Sequence, residues 1–383
     1  MPSLVEGASR RDLARLLGAS AALLALRPLA ARAADLAAAP ATPTAAGGRV
    51  RLNANENPYG PPPGALAAID AALSEACRYP DEVAAALVAD LAAALAVAPD
   101  QILLGSGSSQ ILHVVATAFT GNGRPAVVAD PTFEALGHYA GVRGANVIRV
   151  PLTADFRHDL PAMASAAGER GLVYVCNPNN PTASLTPAGE LAAWIDRLPP
   201  TVTVLVDEAY HHYADGDAGY ASVVPRLAAH PNLVVARTFS KIYGMAGLRL
   251  GCAVASKATI DELRAWLPWD SCNLAALAAG RAALADPTHV ATSRARNREV
   301  RAATVAALEK SGLRTIPSAA NFVMVDLGRD VGPIVQALHG EGVDVGRRFP
   351  ALPNHLRVTV GTDAEMRAFL AALERVTRRA AAA

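Results

Sequence analysis

Residues 233–249 read Leu233-Val234-Val235-Ala236-Arg237-Thr238-Phe239-Ser240-Lys241-Ile242-Tyr243-Gly244-Met245-Ala246-Gly247-Leu248-Arg249. A short apolar run followed by small residues fits a buried strand that ends in a turn. Lys241 then stands just past the strand end, with Arg249 behind it. Desolvation at such a place disfavours the ammonium, and a neutral amine adds to an aldehyde to form a Schiff base. Ser240 and Arg249 are suited to gripping a phosphate. Taken alone, the stretch fits equally a loop lysine beside a helix-capping arginine.

Similar runs recur on both sides of it: Ile102-Leu104, Ala126-Ala129, Val147-Val150, Leu172-Cys176, Val202-Val206 and Leu250-Val254, with helix-length segments between most of them. This alternation predicts an α/β fold with a mainly parallel sheet between layers of helices. In such sheets ligands collect at the carboxyl ends of the strands. Helices are expected over 65–76 and 82–97 before the sheet, and over 274–284 and 289–310 after it. A second, smaller α/β unit follows, with strands near 321–326 and 356–360, a helix near 331–340 and a last helix from Glu365. Between the first two helices stands Arg78-Tyr79-Pro80, and before them runs a polar arm, Leu52-Asn53-Ala54-Asn55-Glu56-Asn57-Pro58-Tyr59-Gly60.

The chain has 383 residues, 52% of them hydrophobic, with 35 basic and 34 acidic side chains. That is long enough for two packed domains, and the charge balance offers no footprint for nucleic acid. Cys77, Cys176, Cys252 and Cys272 form no CxxC pair, so neither a metal site nor a disulfide framework is expected.

At the N-terminus, Arg10-Arg11 precedes the apolar stretch Leu16–Leu26 and the triplet Ala31-Arg32-Ala33. This resembles a twin-arginine export signal, with a basic start, an apolar stretch too short to span a bilayer and a small-residue cleavage site. It predicts a periplasmic or secreted enzyme with no stable membrane anchor. The alanine- and proline-rich stretch that follows reads as a linker.

Four further patterns fall after predicted strands. Gly105-Ser106-Gly107-Ser108-Ser109 opens a helix and so offers free backbone N–H groups to an anion, or is a plain strand-to-helix loop. Asn177-Pro178-Asn179-Asn180-Pro181-Thr182 is a tight turn in which Asn180 can donate to a phenolate. Asp207-Glu208-Ala209-Tyr210 offers a carboxylate for a protonated pyridine nitrogen, or a helix cap, and Tyr210 reaches the same side as Asn180. The Ser240-Lys241 and Arg249 elements close the set.

The order of these patterns resembles the pyridoxal-phosphate-dependent aminotransferases of fold type I, in particular the histidinol-phosphate aminotransferase branch. Asn55-Glu56-Asn57-Pro58, Arg78-Tyr79-Pro80, Asn179-Asn180-Pro181-Thr182, Ser240-Lys241, Ala246-Gly247-Leu248-Arg249 and Leu356-Arg357-Val358-Thr359-Val360-Gly361 carry the likeness. It implies pyridoxal 5'-phosphate as cofactor and Lys241 as the catalytic Schiff-base lysine. Asp207 would meet the pyridine nitrogen, Asn180 and Tyr210 the ring hydroxyl, and Phe133 the ring face. Ser108, Ser109, Ser240 and Arg249 would hold the phosphate. Tyr79 would reach the neighbouring subunit's cofactor in a homodimer, and Arg357, with Asn55 and Tyr59, would meet the substrate.

The implied organisation is a signal over 1–33, a linker over 34–50, an N-terminal arm and part of the small domain over 51–77, a large cofactor-binding domain over 78–268 and a small C-terminal domain over 269–383. The implied reaction moves an amino group from an amine donor to a 2-oxo acid acceptor. A decarboxylase or lyase of the same fold, and a non-catalytic cofactor-binding protein, remain as alternatives. Ala183 and Ser109 depart from the branch's pattern, and Gly346-Arg347-Arg348 blurs the position of a second substrate-gripping arginine.

Overall fold

A computed structural model describes residues 48–382, so the expected export signal and nearly all of the linker lie outside the described residues. The strands in chain order are β1 (Val50–Leu52), β2 (Ile102–Gly105), β3 (Ala126–Asp130), β4 (Val147–Pro151), β5 (Leu172–Cys176), β6 (Thr203–Asp207), β7 (Leu233–Thr238), β8 (Gly251–Ala255), β9 (Arg314–Ile316), β10 (Phe322–Asp326), β11 (Val343–Val345) and β12 (His355–Thr359). The α-helices are α1 (Pro63–Ala72), α2 (Asp81–Leu95), α3 (Ser108–Phe119), α4 (Ala135–Val142), α5 (Leu160–Ala167), α6 (Ala188–Arg197), α7 (His211–Ala214), α8 (Lys257–Arg264), α9 (Leu274–Leu284), α10 (Pro287–Lys310), α11 (Gly332–Gly340) and α12 (Asp363–Ala382).

Seven strands form the main sheet in the order β2-β8-β7-β6-β5-β3-β4. The pairs from β4 through β7 are parallel, while β8 runs antiparallel to both β7 and β2. The exception has a local cause. A parallel return usually crosses the sheet face through a helix, but residues 239–250, which join β7 to β8 and carry Lys241, hold only a 3₁₀ segment at Ala246–Leu248.

Every residue of β5 is buried, as expected for a strand covered on both faces. On one face Leu205 and Val234 pack with Leu112, Val115, Leu136 and Ile260, and on the other Val204 and Val235 pack with Met163, Leu191 and Trp194. Helix α9 joins the second of these cores through Ala276, Leu277 and Ala279, although its position in the chain groups it with the C-terminal segment.

Beyond it, β12, β10 and β9 form an antiparallel sheet. A separate core of Val323, Val325, Leu338, Leu356 and Phe369 joins that sheet to α11 and α12. The N-terminal arm returns to this region: β1 pairs with β11 in parallel, Val50 opposite Val343 and Leu52 opposite Val345. β1, β9 and β11 have three residues each, too few to show an alternation in sequence. The described residues belong to one compact unit. Among them, no helix is long and apolar enough to cross a membrane.

Candidate active site

Parallel pairing sets Cys176 opposite Asp207 and Asp207 opposite Ala236, so β5 and β6 end at one level and β7 runs two residues further, to Thr238. The segments that follow carry Asn180, Tyr210 and Lys241. They meet the start of α3 around a cavity of ≈ 240 Å³ lined by Asn55, Ser108, Ser109, Phe133, Asn180, Asp207, Tyr210, Ser240, Lys241, Arg249 and Arg357. Tyr59 and Tyr79 are the sequence-predicted residues that fall outside it. The Tyr59 ring lies under the Arg296 guanidinium, 4.8 Å from it, and Tyr79 is 80% exposed on the surface. A larger cleft of ≈ 560 Å³, lined by Val88, Ile102, Leu104 and Trp269 among others, has no lysine in its lining.

One end of the cavity is built for an anion. Helix α3 starts at Ser108 after Gly107, whose φ is 79°, and the N–H groups of Ser108 and Ser109 precede any helical carbonyl they could bond. A Cβ on Gly107 would collide with the Arg249 guanidinium and lie 2.9 Å from its Cζ, so glycine lets that cation lie against the loop. Arg249 Nη1 donates to the Ala246 carbonyl at 2.8 Å and to Ser240 Oγ at 3.4 Å. Gly251 keeps the neighbouring strand equally close, since a Cβ there would sit 2.5 Å from Ser108 N.

Asp207 stands deeper in the cavity, 2% exposed. Its Oδ2 accepts from the Tyr174 hydroxyl at 2.9 Å and its Oδ1 from the Ala209 amide at 3.0 Å. Burial raises the carboxyl to about 6, against these two donors and the nearby Lys241 charge, which lower it. Glu208 turns away and pairs with Arg237 Nη2 at 2.6 Å, while also accepting from Ser222 Oγ at 2.9 Å and Val223 N at 2.8 Å. That buried pair ties the end of β6 to β7, and so fixes Asp207 relative to the turn bearing Lys241.

The half-buried Lys241 donates from Nζ to the Ala54 carbonyl at 3.2 Å and lies 5.6 Å from the centre of the Tyr210 ring. Desolvation, helped by the Arg357 charge, lowers its ammonium to about 8. The Tyr210 hydroxyl accepts from Asn55 Nδ2 at 3.0 Å, and burial raises its pKa above the ordinary phenol range. Asn55 is itself held by the Thr359 hydroxyl on its N–H at 2.9 Å and by Asn321 Nδ2 on its carbonyl at 3.0 Å. Arg357 donates to Asn180 Oδ1 at 2.8 Å and to the Asn53 carbonyl at 2.6 Å, while its buried Nε has no protein partner.

Of the paired arginines, Arg347 is the one beside Arg357. Both guanidinium groups lie over the Phe349 ring, at 4.4 Å and 5.3 Å, and Arg347 also binds Glu134 Oε2 at 2.6 Å. Arg348 turns away to Asp330 at 2.6 Å. Tyr174, the Ala54 carbonyl, Thr359 and Asn321 were not singled out from sequence. Tyr174 lies two residues before Cys176, and the two-residue strand period was the signal that set it on the same face.

A cation, three hydroxyls and a helix N-terminus at one end, a buried carboxylate at the other and an amine of lowered pKa between them match the parts of pyridoxal phosphate. The glycine cradle at Gly107 and the donor set both fit it. Comparison with known proteins agrees. The family model for aminotransferase class I and II matches residues 48–373, and the chain belongs to that family. It is 42% identical to a histidinol-phosphate aminotransferase of Symbiobacterium thermophilum, covering 85% of this chain and 90% of that one. It is 43% identical to histidinol-phosphate aminotransferase 2 of Pseudomonas fluorescens, over 86% and 90%. A crystal structure of histidinol-phosphate aminotransferase from Sinorhizobium meliloti in complex with pyridoxal-5'-phosphate superposes with a TM-score of 0.81 at 32% identity, covering 86% of this chain and 91% of that one. The chain is a pyridoxal-phosphate-dependent aminotransferase of fold type I.

A lysine ammonium at about 8 loses its proton as pH rises through that value, and only the neutral amine is nucleophilic. The rate at which cofactor-free protein captures the aldehyde at Lys241 is therefore expected to rise with a midpoint near pH 8. A stopped-flow pH series on the apoprotein measures this, and a midpoint in the ordinary lysine range above 10 would refute the desolvated setting.

Proposed function

We propose that this aminotransferase takes its amino group from a phosphate-bearing amine of the histidinol-phosphate type and passes it to a 2-oxo acid. Arg357, which lines the cavity with Lys241 and has Arg347 beside it, is the observation that carries this reading. The relatives named histidinol-phosphate aminotransferase support it. When bound, pyridoxal phosphate supplies an electron sink for the substrate's Cα.

The chain's own residues do the rest. Arg249, Ser240, Ser108, Ser109 and the start of α3 would hold the cofactor phosphate. Asp207 would face its ring nitrogen, and Asn180 and Tyr210 its ring hydroxyl. Lys241 Nζ would take a proton from the substrate's Cα and deliver it to C4′ of the cofactor on the same face, a task for which an amine titrating near 8 is well matched. Arg357 meets the substrate anion with its planar fork.

We further infer a homodimer in which Tyr79 completes the partner subunit's site, and export through the twin-arginine pathway to the periplasm or beyond. The exposed Tyr79 ring supports the first, and the order Arg10-Arg11, Leu16–Leu26, Ala31-Arg32-Ala33 supports the second.

Arg357→Ala is expected to raise KM for a phosphate-bearing amine by the equivalent of about 2 to 5 kcal/mol, the cost of stranding a buried charge, with a much smaller effect on cofactor affinity. Steady-state kinetics with histidinol phosphate measures it. An unchanged KM would assign the anion to other residues, and release of carbon dioxide or another fragment in place of a ketone would make the enzyme a lyase.

Changing Arg10 and Arg11 together to lysine should trap unprocessed, active enzyme in the cytoplasm. Fractionation followed by N-terminal sequencing reads the outcome, and processed protein beyond the membrane would contradict the export reading.

For the shared site, Lys241→Ala and Tyr79→Ala chains refolded together should regain about a quarter of full activity, because random mixing makes about half the dimers mixed and each has one sound site. No recovery, with mixed dimers demonstrated, would place Tyr79 in its own subunit's chemistry.

A further inference from the structure

We propose that Tyr174 is a positioning residue that orients and holds the Asp207 carboxylate toward the cofactor's ring nitrogen; this rests on the cofactor placement above. Tyr174 is fully buried in the main sheet, and its hydroxyl donates to Asp207 Oδ2 at 2.9 Å. The strand register explains the reach. Tyr174 lies opposite Leu205 and Cys176 lies opposite Asp207, so the phenol meets the carboxylate on the diagonal, two residues along the neighbouring strand.

The Tyr174 ring fills the core between the sheet and α3, packed with Leu112, Leu205 and Val234, so its hydroxyl has a fixed position. With the Ala209 amide on Oδ1 and the phenol on Oδ2, both carboxylate oxygens are tethered and the plane of the group is set. A hydrogen bond to an ionised acceptor stabilises the anion more than the neutral acid.

The charged and titratable groups facing Asp207 come from each element around it: Lys241 from the turn after β7, Glu208 beside it on the chain, Cys176 from the end of β5 and Tyr210 before α7. Among these, Lys241 is consumed in binding the aldehyde and Glu208 is turned to Arg237. The Cys176 thiol points to the Pro178 carbonyl at 3.3 Å. The phenol is thus the side-chain donor left to Asp207 when the cofactor is in place.

The consequence is electronic as well as geometric. A carboxylate that loses a donor holds a proton more tightly and draws it from the ring nitrogen. The cofactor ring then carries less positive charge, and its other basic atoms become more basic. Tyr174→Phe removes the hydroxyl and keeps the ring.

In that variant of the full-length holoenzyme, the midpoint of the pH titration of the bound cofactor's visible absorbance is expected to move upward. The apoprotein should bind pyridoxal phosphate about ten-fold or more weakly, as for loss of one charge-assisted hydrogen bond. The value of kcat should fall with KM for the amine donor little changed.

Site-specific replacement of Tyr174 by 3-fluorotyrosine, a stronger donor of nearly the same shape, should move the absorbance midpoint downward, and this arm stands if the Phe variant does not fold. An absorbance midpoint unmoved in both proteins would overturn the proposal, even if thermal stability drops, because lost packing alone does not shift it. If neither protein binds pyridoxal phosphate and Lys241→Ala leaves wild-type binding unaltered, the failure lies instead with the cofactor placement.

Discussion

Two opposite charges, Lys241 and Asp207, are desolvated in one cavity, and the architecture is arranged around keeping both there. Burial moves each toward its neutral form, the ammonium down to about 8 and the carboxyl up to about 6. Salt bridging them directly would cancel both and leave nothing for a ligand. Instead Lys241 donates to the Ala54 carbonyl, and Asp207 accepts from Tyr174 and Ala209. The parallel register of β5, β6 and β7 supplies the rigid frame, and the Glu208–Arg237 pair locks two of those strand ends together.

This frame produces a cavity with polarity along its length. The Arg249 cation and helix N–H groups stand at one end, the carboxylate at the Asp207 end, and the amine, phenol and amide lie between. A dianionic phosphate joined to a basic ring nitrogen matches that polarity in one orientation, which under the proposed assignment would put the aldehyde beside Lys241. The arm from Asn53 to Asn57 closes the site from the other side of the fold. Asn55 is held by Thr359 and Asn321, and in turn holds the Tyr210 hydroxyl. Arg357 and Thr359, both on β12, thus hold the arm that supplies the lysine's carbonyl partner.

Much of this was legible in sequence because each strand-end residue follows an apolar run long enough to read. Leu233-Ala236 foretold β7, and with it the depth of Lys241. Leu172-Cys176 and Val202-Val206 did the same for Asn180 and Asp207. What stayed hidden was set by three-dimensional contact. The antiparallel β8 follows from a connection without a crossover helix, and α9 packs with the main sheet although it lies late in the chain. The strands β1, β9 and β11 are too short to show a period. Tyr174 reads in sequence as one more core aromatic, since its role depends on a diagonal contact to the neighbouring strand. Arg347 and Arg348 were indistinguishable until Glu134 and Asp330 separated their directions.

The central claim is that one amine, at the end of β7, holds the cofactor. The chain has only three lysines, Lys241, Lys257 and Lys310, which makes the test sharp. Borohydride reduction of the holoenzyme, followed by proteolysis and mass spectrometry, fixes the cofactor on the amine that binds it. The account predicts the label on the peptide containing Lys241 alone, whereas a label on Lys257 or Lys310 with Lys241 unmodified would contradict it.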